Sequence, residues 1–396
     1  MTKCVVMSAR RRRTDVSTIQ LSGHQWGVPV RNTDARPWPT WLDNTPARWK
    51  HEVGPALREV YLSGVEGTPA PKGKQFAQAL ADYCGTQHGV LMAHGTNAIA
   101  AAVAASLDLD GLSDGGEVIV LNYTYLATAT APMFVGCSVC FVDVDSQSAT
   151  LDPTAVEAAV GHRTRAISPV HVKGQTADMY SLRMIAEHHF IVIIEDCSHA
   201  HGAEYNSHRA GSLCDASGFS FQASKTLILR EGGAVTTDDA TIRNRVVSFM
   251  DVGRHPEGGR WEYLRLGWNY RTSEYVAAQL QVRLTNLEQE IETRTRNANY
   301  LSAQLEGIEG VLPVPLKPWA MRHAYHLYPY FYDADVFGCE SVETEAATLR
   351  AEGVPGFRGY DALSSQGAIQ TVARYHPHRI RIEPCPNVER ISASTL

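Results

Sequence analysis

From about residue 75 to residue 240 this chain alternates helix-like segments with short apolar runs, and that alternation constrains its fold more than any other feature. Lys74 to Tyr83 reads as a helix, and a Gly-Thr turn at 95–96 opens an alanine-rich helix to about Ser106. Glu117 to Leu121 reads as a strand, Leu126 to about Val135 as a helix of small residues, and Cys137 to Val144 as another strand. Asp152-Pro153 is a good helix start, a capping side chain followed by a proline at the first turn. Arg165 to Val170 follows as a strand, Asp178 to His189 as a helix with Leu182 and Ile185 on one face, and Phe190 to Ile194 as a buried strand. Such alternation implies an α/β fold, a mostly parallel sheet covered by helices on both faces.

The pattern then changes. Phe219 to Gln222 and Ala234 to Thr237 read as short strands flanking a loop that carries Lys225. Beyond Arg271 one long helix is expected, to about Leu305, with Leu280, Leu284, Leu287 and Ile291 forming one apolar seam. Glu288, Glu290, Glu292, Arg294 and Arg296 read as a solvated face of that helix. The length of 396 residues suggests two or three domains, at roughly 150 residues each. The expected division is a partly disordered arm over 1–30, a large domain over 31–272, and the bridging helix with a smaller C-terminal α/β domain over 273–396.

A formal net charge of -6 speaks against a nucleic-acid partner, whose footprint would be basic. The basic run Arg10–Arg13 lies in the polar arm and reads as a solvated tail. No stretch approaches the roughly 20 apolar residues needed to span a bilayer. Cys4-Val5-Val6-Met7 precede the arginines, the reverse of a signal peptide, so the cytoplasm is the expected location. Cys137 and Cys140 form a CxxC pair, but no second pair follows at zinc-site spacing, and a structural role is expected.

Other motifs fail on inspection. Gly67, Gly73 and Lys74 imitate a P-loop, but the spacing is one residue too long and Gln75 stands where Ser or Thr should hold magnesium. No GxGxxG occurs, which removes the main support for a nucleotide-binding dehydrogenase. His199-Ala200-His201 would point to opposite faces of a strand, so no metal site is expected there or elsewhere.

Three signals carry chemistry. The apolar run Ile191-Val192-Ile193-Ile194 ends in Glu195-Asp196, and in open α/β sheets ligands sit beyond the carboxyl ends of strands. Only one of the two carboxylates should face that crevice, where it could meet a metal, a ribose or a protonated heterocycle. Lys225, between two short strands and near Gly232 and Gly233, is a candidate amine nucleophile; desolvation favours its neutral, reactive form. Gly95-Thr96-Asn97 at a helix start offers backbone N–H groups to an anion.

These residues sit in segments that resemble a known family. HGTNAIAAAV (94–103), NYTYLATATAP (122–132), PVHVKGQTADM (169–179), IIEDCSHAHGA (193–203), GFSFQASKTL (218–227), EGGAV (231–235) and LGWNYRTSE (266–274) agree in order and spacing with the DegT/DnrJ/EryC1/StrS family. These are sugar and cyclitol aminotransferases of pyridoxal 5′-phosphate (PLP) fold type I, and the resemblance runs from about residue 20 to about 360. EDCSHAHGA and SFQASK look most like the branch that holds glutamine-dependent scyllo-inosose aminotransferases and aminohydroxybenzoate synthases.

The resemblance implies roles. Lys225 would hold PLP as a Schiff base and shuttle protons, Asp196 would pair with the pyridinium nitrogen, and Tyr125 would stack on the ring. His199 would lie near the phenolic oxygen, and Gly95, Thr96, Asn97 and Ser220 would bind the phosphate. Asn269 would reach the phosphate of a neighbouring subunit, implying a homodimer with shared sites. His171 and Gln175 would line the pocket, and Arg322, Tyr325 and His326 echo a segment near the substrate. The implied reaction moves an amino group from an amino acid, L-glutamine in this branch, to a ketone on a cyclitol or sugar ring. An aminohydroxybenzoate-synthase-like dehydratase and a catalytically silent partner of an active homologue are the alternatives.

The chain departs from the family beside the lysine. Ile228 and Arg230 stand where relatives usually carry Thr and Gly, and Arg230 reads either as a surface-turned side chain or as a reader of a substrate carboxylate. Lys173 replaces a residue that is more often aromatic or small. Leu396 comes before the final strand or helix with which relatives usually end, so an incomplete smaller domain is expected.

Overall fold

A computed structural model describes residues 46–67, 70–110, 112–338 and 341–396. The arm over 1–30, with Arg10–Arg13, lies outside them. Eight strands form the main sheet: β1 (His88–Met92), β2 (Glu117–Leu121), β3 (Ser138–Val142), β4 (Thr164–Ser168), β5 (Val192–Asp196), then Ala216–Ser220, Gly233–Thr237 and Ile380–Ile382. Across the sheet the order is β1, Gly233–Thr237, Ala216–Ser220, β5, β4, β2, β3, Ile380–Ile382. Gly233–Thr237 runs antiparallel to both its neighbours, and every other pairing is parallel.

The apolar runs are continuous because both faces of these strands are covered. In β2, Val118 and Val120 enter one apolar layer while Ile119 and Leu121 enter the other. β3 divides the same way, Val139 and Phe141 against Cys140 and Val142. Cys137 and Cys140 are buried free thiols of this region. The first layer is filled by the helix Gly95–Ser106, which is buried from Ala98 through Ala105. Its small side chains let backbone approach sheet: a Cβ on Gly218 would stand 2.8 Å from Ile99 Cγ1.

The expected helices appear as Pro71–Cys84, Gly95–Ser106, Ala127–Phe134, Pro153–Ala159 and Met179–His189. Asp152 and Asp178 cap the last two by accepting from Thr154 and Ser181 N–H. Phe190 is not the start of β5 but the left-handed cap of the preceding helix, at φ 56°, and it is exposed.

The single long helix expected after Arg271 is two, Glu274–Leu284 and Leu287–Leu305. The break has a local cause: Thr285 Oγ1 and Asn286 Nδ2 both donate to the Val282 carbonyl, at 2.8 and 3.2 Å, and compete with the helical ladder. The apolar seam survives the break, with Leu280, Leu287 and Ile291 buried together and Leu284 packed against them. Its charged face is more than solvated. Glu288 accepts from Tyr83 Oη (2.5 Å) and Arg322 Nη1 (2.8 Å) and lies 3.0 Å from Arg209 Nη2, so it ties this helix to the large layer.

After residue 305, Val311–Pro313 and Tyr330–Tyr332 form a small antiparallel pair. The chain then returns to the main sheet, where Ile380–Ile382 lies parallel to β3 and Val388 and Ile391 of the last helix enter the second apolar layer. Among the described residues no helix is long and apolar enough to cross a membrane.

Candidate active site

The two carboxylates at the end of β5 face opposite layers, as alternation requires. Ile194 packs in the layer of the helix Gly95–Ser106, and Asp196 follows it. Asp196 Oδ2 accepts from Thr128 Oγ1 (2.8 Å) and Oδ1 from the Ser198 N–H (3.0 Å). Glu195 turns to the other side, where it accepts from His171 Nε2 (2.9 Å), Cys197 Sγ (3.2 Å), Ser217 Oγ (3.1 Å) and the N–H groups of Gly211 (2.9 Å) and Leu213 (2.7 Å). Burial alone would raise the Glu195 pKa; the donors, led by His171, outweigh it and hold the carboxyl at about 2. His171, Glu195 and Cys197 are the one His/Cys/carboxylate cluster with metal-like spacing among the described residues. With Glu195 already saturated by donors, the cluster is a buried hydrogen-bond network that holds the loop over 211–213.

His171 therefore does not line the pocket as the sequence suggested. It is fully buried on the Glu195 side, and its Nδ1 accepts from the Ala177 N–H, so Nε2 carries the proton. Gln175 is buried too, with Oε1 taken by the Lys317 N–H (2.8 Å).

Lys225 lies on the loop between Ala216–Ser220 and Gly233–Thr237, pinned by its N–H to the Gln222 carbonyl (2.9 Å). Its side chain is 9% exposed. Burial lowers its pKa, while the negative charge of Asp196 pulls the other way. That places the amine and Asp196 in electrostatic contact across the sheet end. His199 stacks on His326 at 4.5 Å between centroids, and burial, with the Lys225 charge, holds it well below the usual histidine range. His201, two residues on, packs against Phe219 and Phe221 instead.

The helix starts differ in a telling way. The helix Pro71–Cys84 begins under the buried carboxylate of Glu274, which accepts from the Lys72 and Gly73 N–H groups at 2.6 and 2.7 Å. That contact uses up the P-loop imitation. The helix Gly95–Ser106 has no capping side chain, so its first N–H groups are free for an external anion. Ser220 closes the other side: a Cβ on Gly95 would stand 2.4 Å from Ser220 Cβ, so only glycine admits this approach. Thr96 and Asn97 are half-buried there, and Asn97 bonds the Tyr270 hydroxyl.

The remaining candidates scatter. Tyr125 is 61% exposed, just before the helix Ala127–Phe134. Arg230 is exposed and holds φ 97°, a conformation that favours the glycine usual in relatives. Asn269 is exposed on the segment closed by the Asp251–Asn269 bridge. Tyr325 stacks on His323 at 4.0 Å, while Arg322 is committed to Glu288 and Glu204. Gly174 allows the 325–326 segment to approach, since a Cβ there would stand 2.9 Å from Tyr325 N. Sequence reasoning missed two residues. Thr128 lay inside a quoted segment without a role, and Tyr360, from the distant C-terminal part, packs edge-on to Tyr123 (5.6 Å) and parallel to His199 (6.4 Å).

Residues 49–395 match the DegT/DnrJ/EryC1/StrS aminotransferase family. The chain belongs to that family. It is 33% identical to the L-glutamine:2-deoxy-scyllo-inosose aminotransferase of Streptoalloteichus tenebrarius over 391 residues, covering 92% of this chain and 89% of the relative. It is 38% identical to the enzyme of the same name from Streptomyces lividus, covering 77% and 72%. Among solved structures, 3-amino-5-hydroxybenzoic acid (AHBA) synthase matches with a TM-score of 0.78 at 28% identity, over 90% of this chain and 91% of that one. The protein is thus an aminotransferase-family enzyme of the α/β class, and its relatives in this family are PLP-dependent.

Proposed function

We propose that this enzyme uses PLP to move the amino group of L-glutamine to a ketone on a cyclitol ring, a step in making an aminocyclitol natural product. The observation that carries the reading is the convergence of a buried low-pKa lysine, one free-facing carboxylate and an uncapped helix start at one end of the sheet. These residues fit the cofactor. A side chain at Gly95 would collide with Ser220, so glycine lets the Ser220 hydroxyl stand beside the uncapped helix start, where a phosphate would meet both. When bound, the cofactor supplies an electron sink.

The chain's own residues do the rest. Lys225, whose pKa burial lowers, would hold the cofactor and move protons to and from the substrate Cα. Asp196, oriented by Thr128 Oγ1 and the Ser198 N–H, keeps the ring nitrogen protonated. Thr96, Asn97 and Ser220 would take the phosphate, Tyr125 would cover the ring, and His199 would serve the phenolic oxygen. Tyr325 and the exposed Arg230 lie on the substrate side, where Arg230 reads a carboxylate. A homodimer completes the site. Trp261, Tyr263, Leu264, Leu266 and Trp268 are more than half exposed on the segment that carries Asn269, an apolar patch suited to a second copy. The large domain over 31–272, the smaller region after it and a cytoplasmic setting belong to the same reading.

The test is to incubate the PLP-loaded protein with L-glutamine and 2-deoxy-scyllo-inosose and to follow colour and products. The expected result is bleaching by glutamine and formation of the ring amine, both lost in Lys225→Ala. An aromatised product without glutamine consumption would instead favour a dehydratase like the AHBA synthase it resembles. A colourless, unresponsive protein would make it a silent partner.

A further inference from the structure

Lys173, the second departure from the family, is buried where nothing neutralises it. It sits in the turn Val172–Gly174 at φ 58°, its N–H donates to His199 Nδ1 (3.3 Å), and its carbonyl accepts from the Leu327 N–H (3.3 Å). The residue is 5% exposed, and among the described residues Nζ has no hydrogen-bond acceptor. One favourable contact remains, the Tyr123 ring, whose centroid is 5.6 Å away. Burial lowers the pKa of the amine to about 7.

Nζ shares a small, largely enclosed space with Ser148, Gln175, His323, Thr395 and the apolar wall of Phe331. Two side chains there have a donor to spare. Gln175 has spent Oε1 on Lys317, and its buried Nε2 has no partner. His323 accepts the Tyr325 N–H on Nδ1 (2.8 Å), which leaves its proton on Nε2. The hydroxyls of Ser148 and Thr395 already donate to Asp145 Oδ1 (2.9 Å) and the Ile391 carbonyl (2.8 Å). The neighbouring charges Asp145 and Lys317 satisfy each other at 2.9 Å, so neither offers a carboxylate to Lys173.

We infer that this space is a binding site for one small monovalent anion, of chloride size, held by Lys173 Nζ and the Gln175 amide. A buried cation that makes no hydrogen bond, beside an amide donor that makes none, is complementary to an anion, and the space suits a guest of one heavy atom. The anion binds the ammonium form, so its affinity rises as pH falls through about 7. The inference does not depend on the aminotransferase reading, since it concerns the fold behind His199.

The test compares thermal unfolding of the cofactor-loaded enzyme in gluconate, chloride and bromide at equal ionic strength. Halide should raise Tm saturably, by about 2 °C at roughly ten times its dissociation constant. The rise should be larger at about pH 6.5 than at about pH 8.5, because protonation and anion binding are linked. Lys173→Met should abolish the response, and crystals grown in bromide should show an anomalous peak beside Nζ. An identical halide response in Lys173→Met, or a bound water there that bromide does not displace, overturns the inference. If that variant does not fold, the bromide peak and the response of Gln175→Leu decide.

Discussion

Glu195 and Asp196 are neighbours in sequence, yet the fold uses them in opposite ways. Glu195 is saturated by five donors and anchors a loop; Asp196 takes two and keeps a face toward Lys225. The two donor sets share no residue, although Cys197 and Ser198 are neighbours on the loop after β5. The contrast teaches that a buried carboxylate becomes functional when its surroundings leave part of it unsatisfied. Its neighbour shows what full satisfaction looks like, and what it does is hold structure.

The sharpest way to break this contrast is Asp196→Asn. Activity should fall by about 10²- to 10⁴-fold, because the group that keeps the ring nitrogen protonated is lost, while the melting temperature stays near wild type. Steady-state kinetics beside a melting curve reads both. Glu195→Ala should do the reverse, costing about 3–5 kcal/mol of stability because His171 and four other side-chain or backbone partners lose their acceptor. Denaturant titration measures it. A stable, inactive Glu195→Ala would show that the fold-side carboxylate also serves the chemistry.

Acid should expose the fold-side carboxylate next. Its folded pKa, about 2, lies below the ordinary carboxyl value of 4.5, so its contribution is complete above about pH 4.5. As pH falls from there toward 2, that contribution is lost, and Glu195→Gln should flatten this part of the stability profile. Thr128→Val is smaller, removing one hydrogen bond to Asp196 and lowering kcat by about tenfold or less. Smallest is Arg230→Gly. Relief of a left-handed arginine should add about 1 kcal/mol to stability. If kinetics for every substrate also stay unchanged, Arg230 does not read a carboxylate.

Much of the site was legible because its parts obey local rules. Asp196 ends an apolar strand, Gly95 opens a helix, and Lys225 sits between short strands near glycines, all within short sequence windows. Alternation also showed that only one of Glu195 and Asp196 could face the crevice. It could not show which, because that depends on the register of β5 against its neighbours. His171 was misread for the same reason, since its loop follows β4 and its ring turns to the Glu195 layer. The long helix was overextended because the apolar seam continues across Thr285-Asn286, where two polar side chains take over one carbonyl.

The sequence by itself determined the α/β class and singled out the helix start and the lysine that the proposed function uses, since periodicity, turns and side-chain chemistry are local properties. Only the tertiary structure decided which carboxylate is spent on the fold, which helix start stays uncapped, and that Tyr360 reaches His199. It also decided that Lys173 is buried without an acceptor. Those outcomes rest on contacts between residues far apart in the chain, and no short window contains both partners.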